Sequence, residues 1–145
     1  MIVKSTPFQS KDYYQSLAVR DSVLRIPLGL SFDPEQLIQE NTDVHLIAKL
    51  ENRVVATMIL TPAIAAAKMR QVAVLPEFQK GGIGRDLVSK FETIASEMNF
   101  DKIELHARAN AVPFYEKLGY SIVGDWFEEV GIPHLKMEKY PIKRV

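Results

Sequence analysis

The chain has 145 residues, with 18 Lys plus Arg against 18 Asp plus Glu, so its formal net charge is zero, and it contains no cysteine. That length suits one domain, residues 1–145, with a core that needs no covalent staples, and the missing thiols exclude disulfides, thiolate catalysis and cysteine-ligated zinc. Balanced charge argues against a binder of nucleic-acid backbones, no apolar run nears the roughly 20 residues of a membrane span, and the N-terminal MIVKSTPF lacks a charged-then-apolar signal layout, so the expectation is a soluble cytoplasmic protein with neither nucleic acid nor membrane as partner.

Ile2 to Lys4 reads as a short strand, broken at Thr6-Pro7. Ser10 to Val23 is a helix candidate capped by Ser10 or Asp12, with Tyr13, Leu17 and Leu24 on one face. Pro27 and Gly29 interrupt that pattern. Asp33-Pro34-Glu35 joins an N-cap, an N1 proline and an early acid, predicting a second helix that ends near Asn41. Val44–Lys49 and Val54–Leu60 are apolar strands whose connection, Leu50-Glu51-Asn52-Arg53, has hairpin length. Met69 to Leu75 is a third strand, expected antiparallel to the second.

From Gly82 to Met98, Ile83, Leu87, Val88, Phe91, Ile94, Ala95 and Met98 recur at helical spacing with a wide core-facing stripe. Lys102–Ala107 is a strand. Val112–Leu118 is a short helix closed by Gly119, and Ser121–Glu129 with Ile132–Met137 forms a final hairpin around Val130-Gly131. The resulting order, β-α-α-β-β-β-α-β-α-β-β, describes an α/β (α+β) chain with a mixed sheet.

The segment VAVLPEFQKGGIGRDL, Val72 to Leu87, carries the strongest chemical signal. A β-branched run stops at Pro76, a basic glycine-rich turn follows from Gln79 to Arg85, and a helix begins. The first amides of a helix have no partner within it, and the helix dipole adds partial positive charge there. Glycines let a ligand approach the backbone, so the segment reads as a cradle for a phosphorylated ligand, with Lys80 and Arg85 as added charge. A P-loop is excluded because Lys80 precedes the glycines rather than standing before Ser or Thr. A dinucleotide fingerprint lacks its third glycine, Leu87 standing in that place.

The element order, the Gln79-x-x-Gly82-x-Gly84 turn, and Asn110-Ala111-Val112-Pro113-Phe114-Tyr115-Glu116-Lys117-Leu118-Gly119-Tyr120 together resemble the GNAT acetyltransferase superfamily. VLRIPLGLSFDPEQ (23–36) and EVGIPHLKMEK (129–139) look like its small ElaA-like bacterial subgroup. The resemblance implies a mostly antiparallel central sheet of six or seven strands flanked by about four helices. It also implies acetyl-coenzyme A as co-substrate, in a gap between the strands ending at Leu75 and Ala107, the first of them bulged. Val72, Ala73 and Val74 match the stretch whose main chain pairs with the pantetheine arm, and Gln79, Lys80, Gly81, Gly82, Ile83, Gly84 and Arg85 match the pyrophosphate loop. Asn110, Phe114 and Lys117 match cofactor contacts near the second strand, and Tyr115 matches the residue beside the thioester sulfur.

Acetyl transfer to an amine needs a held thioester, a donor toward the developing negative charge (in this family a main-chain N–H near Val74), an acid for the departing thiolate and a base for the ammonium. Tyr115 is the candidate acid, because a phenol with an ordinary pKa of about 10 is protonated at neutral pH; core packing beside Phe114 is the other reading. The strand Met69-Arg70-Gln71-Val72 offers no carboxylate as base. His134, in Gly131-Ile132-Pro133-His134, is the first candidate base, followed by His106, then Glu104 and Glu128.

The three histidines lack zinc spacing, so no metal is expected. Trp126 and Phe127 either wall an acceptor pocket or pack in the core or at the rim. Arg25 is most simply a solvated surface residue, with an acidic substrate group as the alternative partner. An N-acetyltransferase with a small-molecule or peptide amine acceptor is the reading carried forward, and a homodimer through the terminal hairpin suits such a fold. A non-catalytic acyl-coenzyme A sensor is the alternative.

Overall fold

Among the described residues, 1–142 of the computed structural model, seven strands and four α-helices follow the order read from the sequence. They are β1 (Ile2–Thr6), α1 (Lys11–Arg20), α2 (Pro34–Gln39), β2 (Val44–Leu50), β3 (Arg53–Pro62), β4 (Ala67–Val74), α3 (Ile83–Glu97), β5 (Ile103–Arg108), α4 (Val112–Lys117), β6 (Ser121–Glu129) and β7 (Ile132–Lys139). The strands hydrogen-bond in the order β1-β2-β3-β4-β5-β7-β6. Of the described pairings, β4–β5 is parallel while β1–β2, β2–β3, β5–β7 and β6–β7 are antiparallel. This is the mixed, mostly antiparallel α/β sheet expected. No helix of the described residues is long and apolar enough to cross a membrane.

The chain divides into two compact units, Met1–Thr61 with Arg70–Phe91, and Pro62–Met69 with the chain from Glu92 onward. In the first, Glu51 and Asn52 take φ of 49° and 67° between β2 and β3, the left-handed pair whose twist suits a two-residue hairpin. Leu46, Ile47, Met58, Ile59 and Leu60 are fully buried. Burial is unbroken along β3 from Val54 to Leu60, as a strand covered on both faces requires, and the one polar residue within it, Thr57, donates its hydroxyl to the Leu46 carbonyl at 2.8 Å.

Ser10 caps α1 by accepting from the Tyr13 N–H, and Asp33 caps α2 by accepting from that of Glu35. The buried face of α1 is Tyr13, Ser16, Val19 and Arg20 rather than the expected Tyr13, Leu17 and Leu24. The cause is local. After Arg20 the chain passes through a π-turn, Asp21–Arg25, and a 3-10 turn, Ile26–Leu28. A wider turn breaks the 3.6-residue phase on which the stripe was counted, and the buried polar group Arg20 takes the place of an apolar side chain.

In the second unit, β4 pairs with β5 through Ala67, Lys68 and Met69. β5 and β7 pair from Ile103↔Lys139 to Arg108↔His134. β6 and β7 meet at a left-handed turn, Val130 and Gly131 at φ 48° and 74°. Their register slips between Val123↔Lys136 and Phe127↔His134, leaving two extra residues on β6 and Gly124 at φ 81°. α4 closes with Tyr120 N–H donating to the Tyr115 carbonyl and Gly119 N–H to that of Glu116. That is the Schellman arrangement which the glycine predicted.

Candidate active site

The basic turn grows out of β4 in the first unit. Pro76–Phe78 form a 3-10 turn, and the Gln79 side chain donates to the Val74 carbonyl at 3.0 Å, tying the loop to the strand end. Lys80 and Gly82 are both left-handed, at φ 67° and 85°. The first bond of α3 runs from the Asp86 N–H to the Gly82 carbonyl, so the amides of Gly82, Ile83, Gly84 and Arg85 precede the helical ladder. A Cβ built on Gly82 would come within 2.9 Å of Arg85 Nη2. The guanidinium therefore folds over the bare backbone of Gly82, adding full charge to an end that already favours anions. Lys80 is exposed beside it.

Within β4, Ala73 is buried and Val72 and Val74 are half-buried. Gln71 has φ 54°. A left-handed residue inside a strand turns the backbone out of its pleat, so β4 is kinked immediately before Val72, as the resemblance implied.

The Gln71 side chain joins a polar cluster with α1 and the π-turn. Arg20, 1% exposed, donates to both carboxylate oxygens of Glu40 at 2.9 and 3.1 Å and to Gln71 Oε1 at 3.3 Å. Arg25 Nη2 donates to the same Gln71 oxygen at 3.1 Å. The Phe32 ring faces both guanidinium groups, at 5.1 and 5.2 Å. Arg25 is thus half-buried, with its Nε atom covered and its guanidinium engaged by Gln71 and Phe32, rather than freely solvated. Burial, helped by the neighbouring Arg20 charge, pulls its pKa below the usual guanidinium value.

The remaining candidates lie in the second unit. Tyr115 is 5% exposed, with its ring against Phe114 at 5.0 Å and Tyr120 at 5.8 Å. Its hydroxyl has no hydrogen-bond partner among the described residues. Burial pushes its pKa well above the ordinary phenol value, which keeps the proton in place throughout the neutral range. Asn110, Phe114 and Lys117 are exposed.

His134 is 4% exposed. Its Nδ1 lies 2.8 Å from the Ile132 carbonyl, and since a carbonyl only accepts, Nδ1 carries a proton, which in the neutral ring leaves the lone pair on Nε2. Nε2 faces Glu129 Oε2 at 3.6 Å, while His106 Nδ1 meets Glu129 Oε1 at 3.0 Å. Phe127 stacks on His134 at 6.0 Å and meets His106 edge-on at 4.9 Å. The sheet brings the two expected histidines together, because Phe127 and Arg108 both lie opposite His134 and the two-residue period puts Glu129 and His106 on that same face. Glu128 and Glu104 are not the carboxylates at this point. Glu104 pairs with Lys102 and Lys136 instead. Sequence reasoning passed over Glu129 and Gln71. Counting back from the Val130-Gly131 turn would have found the first, whereas nothing local signals the second.

The sequence profile of the acetyltransferase (GNAT) domain matches residues 32–141. This chain belongs to the GNAT acetyltransferase family. The protein YyaT of Bacillus subtilis (strain 168) is 32% identical to it over 132 residues, covering 88% of each chain. The crystal structure of Escherichia coli ElaA is similar with a TM-score of 0.82 at 20% identity, over 96% of this chain and 99% of that one. An aminoglycoside 6'-N-acetyltransferase complexed with coenzyme A gives 0.84 at 18% identity, over 100% and 99%. At such identities these two structures speak for the GNAT fold. Membership of the GNAT family carries acyl transfer as the chemistry of the domain.

Proposed function

We propose that this GNAT chain is an acetyl-coenzyme A-dependent N-acetyltransferase that delivers the acetyl group directly to a primary amine within a ternary complex. The observation that carries the reading is the run of ladder-free amides from Gly82 to Arg85, with the Arg85 guanidinium folded over Gly82. That is an anion site at the end of a strand that is kinked at Gln71 and whose pairing with β5 stops at Met69, before Val72 to Val74. Acetyl-coenzyme A supplies the activated thioester and leaves as the free thiol. Gln79, Lys80, Gly81 and the amides through Arg85 hold its diphosphate, the β4 backbone at Val72, Ala73 and Val74 aligns the pantetheine arm, and Asn110, Phe114 and Lys117 flank it. Tyr115 holds a proton for the departing sulfur. His134 in its neutral form, with Nδ1–H tied to Ile132 and the lone pair on Nε2, takes the proton of the incoming ammonium, and Glu129 steadies the imidazolium that results.

Calorimetry with acetyl-coenzyme A, followed by thiol release over a panel of amines, tests this. One binding site and release that depends on the amine are expected; absence of heat at millimolar cofactor would end the reading. Binding without release from any amine would favour the sensor.

His134→Ala should lower turnover at neutral pH about a hundredfold and remove the acidic limb of the pH–rate profile, with cofactor heat unchanged. Full activity with an unmoved acidic limb would take His134 out of the reaction.

A further inference from the structure

We infer that the acceptor carries a carboxylate as well as its amine, and that Arg25, set against Gln71, receives that carboxylate. The inference names the substrate class for the proposed acetyl transfer and rests on that reading for the amine; the carboxylate contact can be measured without it.

Two guanidinium groups share one amide oxygen and one aromatic ring, yet only one of them has an anion. Arg20 spends its charge on Glu40 through two bonds. Arg25 has no ion pair among the described residues: its partners are the uncharged Gln71 oxygen and the face of Phe32. Its Nε is buried with no hydrogen bond, as is that of Arg20. The charged groups around Arg25 are Arg20, Glu40, Arg70 and Asp21. Glu40 is bound to Arg20, and Arg70 lies 3.8 Å from Asp43. Asp21 shares the π-turn and makes no ion pair with Arg25. Arg25 is half-buried, with Nε covered and no anion paired with it among the described residues, so its charge is only partly solvated, and a guanidinium presents the planar fork that a carboxylate matches with two parallel bonds.

Placement selects the acceptor rather than the cofactor. Gln71 immediately precedes the β4 stretch assigned to the pantetheine arm, whereas the phosphate-holding amides begin at Gly82, beyond the other end of that stretch. A strand rises about 3.3 Å per residue, so Gln71 and the Val74 amide are separated by about 10 Å. That span suits a molecule with its amine and its carboxylate at different ends.

The test uses the intact chain and amino acids, α and ω, each paired with its own carboxamide. In the wild type, kcat/KM for the acid should exceed that for the amide at least about tenfold, the worth of a charge-assisted pair. The Arg25 Nε–H resonance should shift on adding the acid and not the amide. Arg25→Gln should bring the ratio close to one with calorimetric affinity for coenzyme A unchanged, and Arg25→Lys should retain part of the preference.

Equal use of acid and amide by the wild type, a preference that survives in Arg25→Gln, or an Arg25 resonance unmoved by every acid would each overturn the inference. The resonance is read on the wild type, so a poorly folding variant does not decide the matter. Loss of all transfer together with loss of coenzyme A binding would instead fall on the acetyl-transfer reading, and the resonance would still judge Arg25.

Discussion

Tyr115→Phe is expected to lower kcat at least about a hundredfold, the scale of a lost general acid, while coenzyme A affinity stays within about twofold. The substitution removes one oxygen from a residue whose ring is already packed between Phe114 and Tyr120. Nearly equal volume holds the cost to stability below about 1.5 kcal/mol. The hydroxyl gives up no hydrogen bond among the described residues, so its loss leaves no partner stranded. Burial raises the phenol's pKa, so ionisation of Tyr115 cannot account for any loss of activity below pH of about 10. Steady-state kinetics beside calorimetry separates acid from packing: a kcat unchanged in the variant would make Tyr115 a core aromatic and nothing more.

Arg20→Met should cost about 3–5 kcal/mol of stability, because it leaves Glu40 ionised, buried and without its two donors. For a domain of this size that lowers Tm by roughly 10 °C. The Glu40 backbone also accepts from His45 Nε2 at 2.9 Å, so the segment carrying the carboxylate is pinned and cannot easily swing to water. Replacing both partners, Arg20→Met with Glu40→Leu, should recover most of the loss, since two apolar side chains need no pairing. Thermal melts of the three variants check this; a single variant within a degree or two of the wild type would mean that the pair is solvated and contributes little.

The parts of the fold governed by short-range chemistry were legible. The hairpin turns at Glu51-Asn52 and Val130-Gly131, the caps at Ser10 and Asp33, and the closing glycine at Gly119 are each fixed by a few neighbouring residues. Most of the α3 stripe was legible too, with Ile83, Leu87, Val88, Phe91 and Ala95 buried, whereas Ile94 is half-buried and Met98, past the helix end, is exposed. The face of α1 was not. Periodicity assumes an unbroken helix, whereas a π-turn follows Arg20, and the burial of Arg20 itself depends on an ion pair with a residue twenty positions along the chain. For the same reason Arg25 looked like a surface charge: its partner Gln71 lies 46 residues away. Of the candidate site, the loop and Tyr115 stood within contiguous motifs. The joining of His106 and His134 through Glu129 depends on strand register, and two extra residues in β6 set that register.

Those two residues have another consequence. β6 is the outermost strand of the order, and it exposes Ile122, Val123 and Trp126, the composition of an edge prone to open-ended stacking with other chains. The interruption at Gly124, φ 81°, spoils the flat row of amides and carbonyls that such stacking copies. The hairpin edge is thereby a poor template for backbone addition, and its exposed apolar side chains are what it offers to another surface.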